Sequence, residues 1–190
     1  MKASQARDAL TQLSTLAQQV AAEEADAVVR LAERYARTLT AGGTLFFAGN
    51  GGSAADAQHV ATEYVVRFAR HRRALAAVAL TTDTSLLTAC GNDLGFDEVF
   101  ARQVEALVRP PDLLILHSTS GESPNILRAA QAAKAAGASV VALLGKGGGR
   151  VRDVVDDALV IPSTDTEHIQ ELHLAVEHVI CALVEQELGV

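Results

Sequence analysis

The sequence predicts an α/β fold, a three-layer sandwich with a five-stranded parallel sheet preceded by N-terminal helices, and three observations predict it. Five short apolar runs recur along the chain with helical stretches between them, the rhythm of repeated β-α-β units. Within each run apolar residues follow one another instead of alternating, which suits strands covered on both faces. Two amphipathic helical segments come before the first run.

In chain order, Leu10, Leu13, Leu16, Ala17 and Val20 recur at helical spacing, and a second amphipathic segment runs from Glu23 to about Thr40. Gly42 and Gly43 stop it. The strands are expected at Thr44–Ala48, Leu75–Leu80, Leu113–Leu116, Ser139–Leu144 and Ala158–Ile161. Helices are expected at Ala54–Phe68 after the first strand and at Ile126–Ala136 after the third. A long segment from Thr164 to about Leu188 carries Ile169, Leu172, Val176, Val179, Ile180 and Leu183 along one broad apolar stripe. Right-handed crossovers place the ligand site at the C-terminal ends of the strands.

Composition narrows the function classes. The 190 residues carry a net charge of −7, so no overall basic field draws nucleic acid or an anionic membrane. Aromatic content of 4% without tryptophan disfavours a stacking platform for single strands. Cys90 and Cys181 stand alone, outside any disulfide or zinc-knuckle spacing. Neither a secretory leader nor an apolar run of the ~20 residues needed to span a bilayer is evident, and the expectation is a cytoplasmic protein.

Two strand-to-helix loops could do chemistry. Gly49-Asn50-Gly51-Gly52-Ser53 follows the first strand, and its glycines let backbone N–H groups turn toward an anion at a helix N-terminus. Gly49, Gly51 and Ala54 also satisfy a dinucleotide-binding fingerprint, but no acidic residue ends a second strand about 20 residues on. The third strand leads into His117-Ser118-Thr119-Ser120-Gly121-Glu122-Ser123-Pro124-Asn125, where four hydroxyls within six residues favour a phosphate or sugar-phosphate cradle over ordinary capping. Gly145-Lys146-Gly147-Gly148-Gly149 offers a further anion contact but lacks P-loop spacing, because Val140 holds the required glycine position.

His59 and Glu63 lie four apart on one helix face and could ligate Zn²⁺ or act as an acid/base pair, although a surface pair of this kind is common. The C-terminal helix offers Gln170, His173, Glu177 and His178, with His173 and Glu177 repeating that spacing. Spacing does not choose among them. Gln170 and His178 are separated by nearly 12 Å of rise at about 1.5 Å per residue, awkward for one ion on one straight helix.

Gly49 through His59, Gly91-Asn92-Asp93, Ser118-Thr119-Ser120-Gly121 with Ser123, and Ile169-Gln170-Glu171 resemble, in order, the sugar isomerase (SIS) domain of the bacterial phosphoheptose isomerases. The resemblance covers essentially the whole chain. It implies one flavodoxin-like SIS domain over residues 1–190, with 1–41 an N-terminal helical oligomerisation segment. The activity it implies is interconversion of sedoheptulose 7-phosphate and glycero-manno-heptose 7-phosphate for heptose and surface-polysaccharide biosynthesis, by a homotetramer with one Zn²⁺ per subunit. Metal ligands are implied at His59, Glu63, Gln170 and His178. Substrate contacts are implied at Asn50, Gly51, Gly52, Glu63, Asn92, Asp93, Ser118, Thr119, Ser120, Ser123 and Gln170. Glu63 and His178 are the implied acid/base residues. The rise along the C-terminal helix suggests that one site takes Gln170 from one protomer and His178 from another.

Two positions depart from the family pattern. His117 replaces a small or apolar residue, and Glu122 stands where Asn or Lys is usual, bringing negative charge beside the proposed phosphate loop. The alternative function is non-catalytic: a related branch of the fold binds the bacterial replication initiator, and other SIS modules sense sugar phosphates. Glu63 and His178, which that initiator-binding branch lacks, are both present here.

Overall fold

The computed structural model describes residues 1–190. Helices α1 (Lys2–Glu23) and α2 (Ala25–Thr40) lead into β1 (Leu45–Gly49), α3 (Gly52–Val65) and β2 (Ala77–Ala79). α4 (Thr84–Asp93), a short 3-10 turn and α5 (Ala101–Leu107) reach β3 (Leu113–Ser118), which α6 (Pro124–Ala135) connects to β4 (Ser139–Leu144). α7 (Gly149–Arg152), β5 (Asp157–Val160) and α8 (Thr166–Glu187) complete the order.

All five strands are parallel in the order β2-β1-β3-β4-β5, so the expected sandwich is the observed one. The strand order reverses between β1 and β3, which puts the loops after those two strands side by side at the ligand-binding edge. Alternate residues of the central strands enter opposite cores. Phe47, Ile115 and Leu143 pack toward α2, α3 and α8, while Phe46, Leu116 and Ala142 pack toward α5 and α6.

Three details differ from expectation. β2 is an edge strand paired only with β1 and keeps three residues of the six expected. Two helices, not one, bridge β2 and β3. α3 stops at Val65, because the N–H groups of Phe68, Ala69 and Arg70 turn to the carboxylate of Glu185 instead of extending the helix. Of α1, only Val20 is buried, whereas α2 sinks Leu31 and Tyr35 completely. Both cysteines are buried and unpaired, and no helix is long and apolar enough to cross a membrane.

Candidate functional site

β1 ends at Gly49 and the chain swings into α3 through Gly51, whose φ of 56° is left-handed backbone that favours glycine. Gly52 faces Gln170 so closely that a Cβ there would stand 2.7 Å from the Gln170 Oε1. Across the sheet edge, Asn50 and Asn125 exchange two side-chain hydrogen bonds of 2.9 and 2.8 Å, tying the loop after β1 to the start of α6.

In the loop after β3, Ser118 Oγ accepts from the Gly121 N–H and Ser120 Oγ from the Glu122 N–H, so both hydroxyls shape the turn. Ser123 precedes Pro124 at the start of α6 and makes no side-chain cap bond. The Gly145–Gly149 segment braces this loop through Gly148, while Lys146 and Gly147 stay exposed. A Cβ on Gly121 would strike Gly148 O at 1.8 Å, and Lys146 donates to Thr166 Oγ1 at 2.9 Å. Glu122 turns away to Arg150, whose Nε and backbone N–H both donate to its carboxylate. The side-chain hydrogen bond from Arg150 lowers the Glu122 pKa, and the negative charge expected beside the loop is paired.

The second half of the site joins α3 and α8. His59 Nε2 and His178 Nε2 approach to 2.9 Å although 119 residues separate them, and Glu63 Oε1 lies 3.5 Å from His59 Nε2. Ligand atoms of the three residues lie within 4.8 Å of one another, and His59 is exposed while the other two are half-buried. Two imidazole nitrogens and a carboxylate oxygen converging with open positions match the donor set of Zn²⁺. Three of the four residues named as ligands thus come together within one chain.

Gln170 is not brought into that cluster. Its Nε2 donates to Asp56 Oδ1 at 2.9 Å, and its Oε1 faces Gly52. Asp56 is almost fully buried, its other oxygen has no partner, and burial raises its pKa. Asn92 and Asp93 sit exposed at the C-terminal end of α4, bonded to each other at 2.7 Å.

His173 and Glu177 face the core. His173 Nε2 donates to Leu144 O at 3.0 Å, and burial drops its pKa to about 3. Glu177 Oε1 accepts from Tyr35 OH and from His117 Nε2, each at 2.9 Å, with Glu177 and His117 wholly buried. The unusual His117 is thereby accounted for: it pairs with a glutamate that follows the sheet's last strand in sequence. Asp56, Asn125 and Phe68, whose ring stacks on His178 with centroids 5.6 Å apart, escaped the sequence reading. Only Asp56 carried a signal, an acid in the otherwise small and polar first turns after the glycine loop.

The SIS domain family profile matches residues 10–145. The phosphoheptose isomerase of Trichlorobacter lovleyi is 52% identical over 173 residues, 91% of this chain and 88% of that protein. The structure of phosphoheptose isomerase from Neisseria gonorrhoeae superposes with a TM-score of 0.93 at 39% identity, covering 98% of this chain and 100% of that one. That of a phosphoheptose isomerase from Francisella tularensis gives 0.95 at 32% identity over 98% and 99%. By the profile match, the identity and the superposition over nearly its whole length, the chain belongs to the SIS-domain family of phosphoheptose isomerases.

Proposed function

We propose that the chain is an isomerase that interconverts sedoheptulose 7-phosphate and D-glycero-D-manno-heptose 7-phosphate, supplying heptose for surface polysaccharide. The observation that carries this reading is the convergence of His59, Glu63 and His178 into one cluster of metal-binding and acid/base groups. Kinship at about half identity with phosphoheptose isomerases supports the substrate. A non-catalytic role in initiator binding or sugar-phosphate sensing needs no such acid/base pair.

Aldose-ketose interconversion moves one proton between C1 and C2 through an enediol, with a second proton exchanged between the two oxygens. A Glu63 carboxylate oxygen takes the proton from the carbon beside the carbonyl and returns it to the neighbouring carbon. The His178 imidazole hands a proton to the former carbonyl oxygen and recovers one from the other hydroxyl. Zn²⁺ held by His59, Glu63 and His178 would supply Lewis-acid stabilisation of negative charge on oxygen. A carboxylate has two oxygens, so Glu63 can offer one to the metal and keep the other for the proton. In this reading Gln170 of a second copy of the chain would complete the ligand set, as the rise along α8 suggests.

The phosphate belongs in the cradle of Ser118, Thr119, Ser120 and Ser123 with backbone N–H groups at the start of α6. Asn50, Gly51, Gly52, Asn92 and Asp93 contact the sugar. Assembly to a homotetramer, through residues 1–41 and α8, is supported by an apolar groove of about 370 Å³ lined by α1, α2 and α8, with Val28, Val29, Val179 and Leu183 among its walls. A reducing cytoplasmic setting suits the two free thiols.

The test is to mix the purified protein with sedoheptulose 7-phosphate and follow the aldose by NMR. Conversion is expected, with loss on chelation and recovery on adding Zn²⁺. An intact, metal-loaded protein that leaves the ketose unchanged would overturn the proposal.

A further inference from the structure

The segment following α3 closes on the His59, Glu63 and His178 cluster from outside. The Phe68 ring lies nearly parallel to the His178 ring, with centroids 5.6 Å apart and an interplanar angle of 24°. A benzene face gives the imidazole no hydrogen-bond partner. It fixes the plane of the ring while leaving Nε2 free to meet His59 Nε2 at 2.9 Å.

Phe68 is itself held in place. Glu185 stands seven residues beyond His178, two turns along the same face of α8. Its oxygens accept from the N–H groups of Phe68, Ala69 and Arg70 at 3.2, 3.2 and 3.1 Å. Arg72 Nε adds a fourth bond to it at 2.9 Å, with both side chains almost wholly buried. The same guanidinium donates to the carbonyl oxygens of Glu63 at 2.6 Å and Tyr64 at 2.9 Å, groups that the C-terminal end of α3 leaves open. One guanidinium therefore grips the backbone of Glu63, one carboxylate carried on the helix of His178 grips the backbone of Phe68, and the Phe68 ring rests on His178. Burial pushes the Glu185 carboxyl up, but the bonds from Arg72 and the three backbone N–H groups outweigh it, so the carboxylate form is favoured.

We propose that Phe68, held by the Arg72–Glu185 pair, is a positioning residue that fixes the His178 imidazole for metal binding and proton transfer. The proposal rests on the reading of the cluster given above. Outer partners of metal ligands commonly change affinity or activity by about 10- to 100-fold. Phe68→Leu keeps apolar bulk and removes the flat face, whereas Phe68→Tyr keeps it.

The experiment measures Co²⁺ uptake by its visible absorption, and in parallel kcat and KM for sedoheptulose 7-phosphate, in wild type and both variants. Phe68→Leu is expected to bind Co²⁺ roughly tenfold or more weakly with an altered band shape, and to lose kcat by a similar factor at nearly unchanged KM. Phe68→Tyr is expected to restore both. Wild-type affinity, spectrum and kcat in a folded Phe68→Leu protein would overturn the proposal. Failure of the metal reading shows differently, as wild-type protein that takes up no Co²⁺; Phe68 is then judged on kcat, where an unchanged value in Phe68→Leu overturns the proposal equally.

Discussion

His59 and Glu63 on α3 stand four residues apart, as do His173 and Glu177 on α8. In the first pair His59 is exposed and Glu63 half-buried, and the two gather His178 from α8. In the second pair both side chains are wholly buried, and each partner turns elsewhere: His173 to a β4 carbonyl, Glu177 to Tyr35 and His117. Spacing fixes only that two side chains share a helix face. What that face meets decides whether the pair binds a ligand or satisfies a core.

Activity should register the contrast between the two pairs most strongly. Glu63→Gln and His178→Gln are expected to lose about 10²- to 10⁴-fold in kcat while remaining folded, the range general acid/base groups command. Steady-state kinetics with circular dichroism checks this, and near-normal turnover in either variant breaks the contrast.

Glu177→Leu should act on stability instead. It strips the acceptor from Tyr35 OH and His117 Nε2 in a dry core, at a cost of about 2 to 4 kcal/mol for groups left without partners. Urea unfolding reads that loss, and activity per folded molecule should fall by less than the roughly 10²-fold floor of an acid/base residue. A larger fall would place Glu177 in the chemistry.

The gentlest effect is a pH slope. His173 has a folded-state pKa of about 3, below the roughly 6.5 of a free imidazole, so in between the unfolded chain binds a proton that the folded chain refuses. Stability is therefore present above about pH 6.5 and lost as pH falls through that window, by up to about 1.4 kcal/mol per unit. His173→Leu should flatten the slope between pH 6.5 and 4.5 whatever its offset at pH 7. An unchanged slope would mean that His173 is protonated in the fold.

Strands and loops were legible because they are local. Consecutive apolar residues such as Val140 to Leu144 announce a covered strand, and glycines or serines just after one announce a ligand loop. The edge strand β2 fell short of its apolar run because only Ala77–Ala79 register with β1, while the Leu75 N–H turns to Tyr64 O at the end of α3. The meeting of His178 with His59 was legible only through the family resemblance and not from spacing, since it depends on how α8 lies across α3. The same dependence on packing holds for His117, an oddity in sequence until Glu177 stands beside it, and for Gln170, whose amide is claimed by Asp56.

The position of α8 in chain order has a consequence for synthesis on the ribosome. This helix covers α2 and α3, which precede it by more than a hundred residues, and it joins the core that they share with the sheet. Until it emerges from the exit tunnel, Leu31, Tyr35 and Val60 lack their cover, and the nascent chain exposes a sticky apolar face. Contacts of such long sequence separation also slow folding. The element that delivers His178 is thus the one whose arrival closes the fold, so that a chain able to bring His178 to His59 and Glu63 has already buried that apolar face.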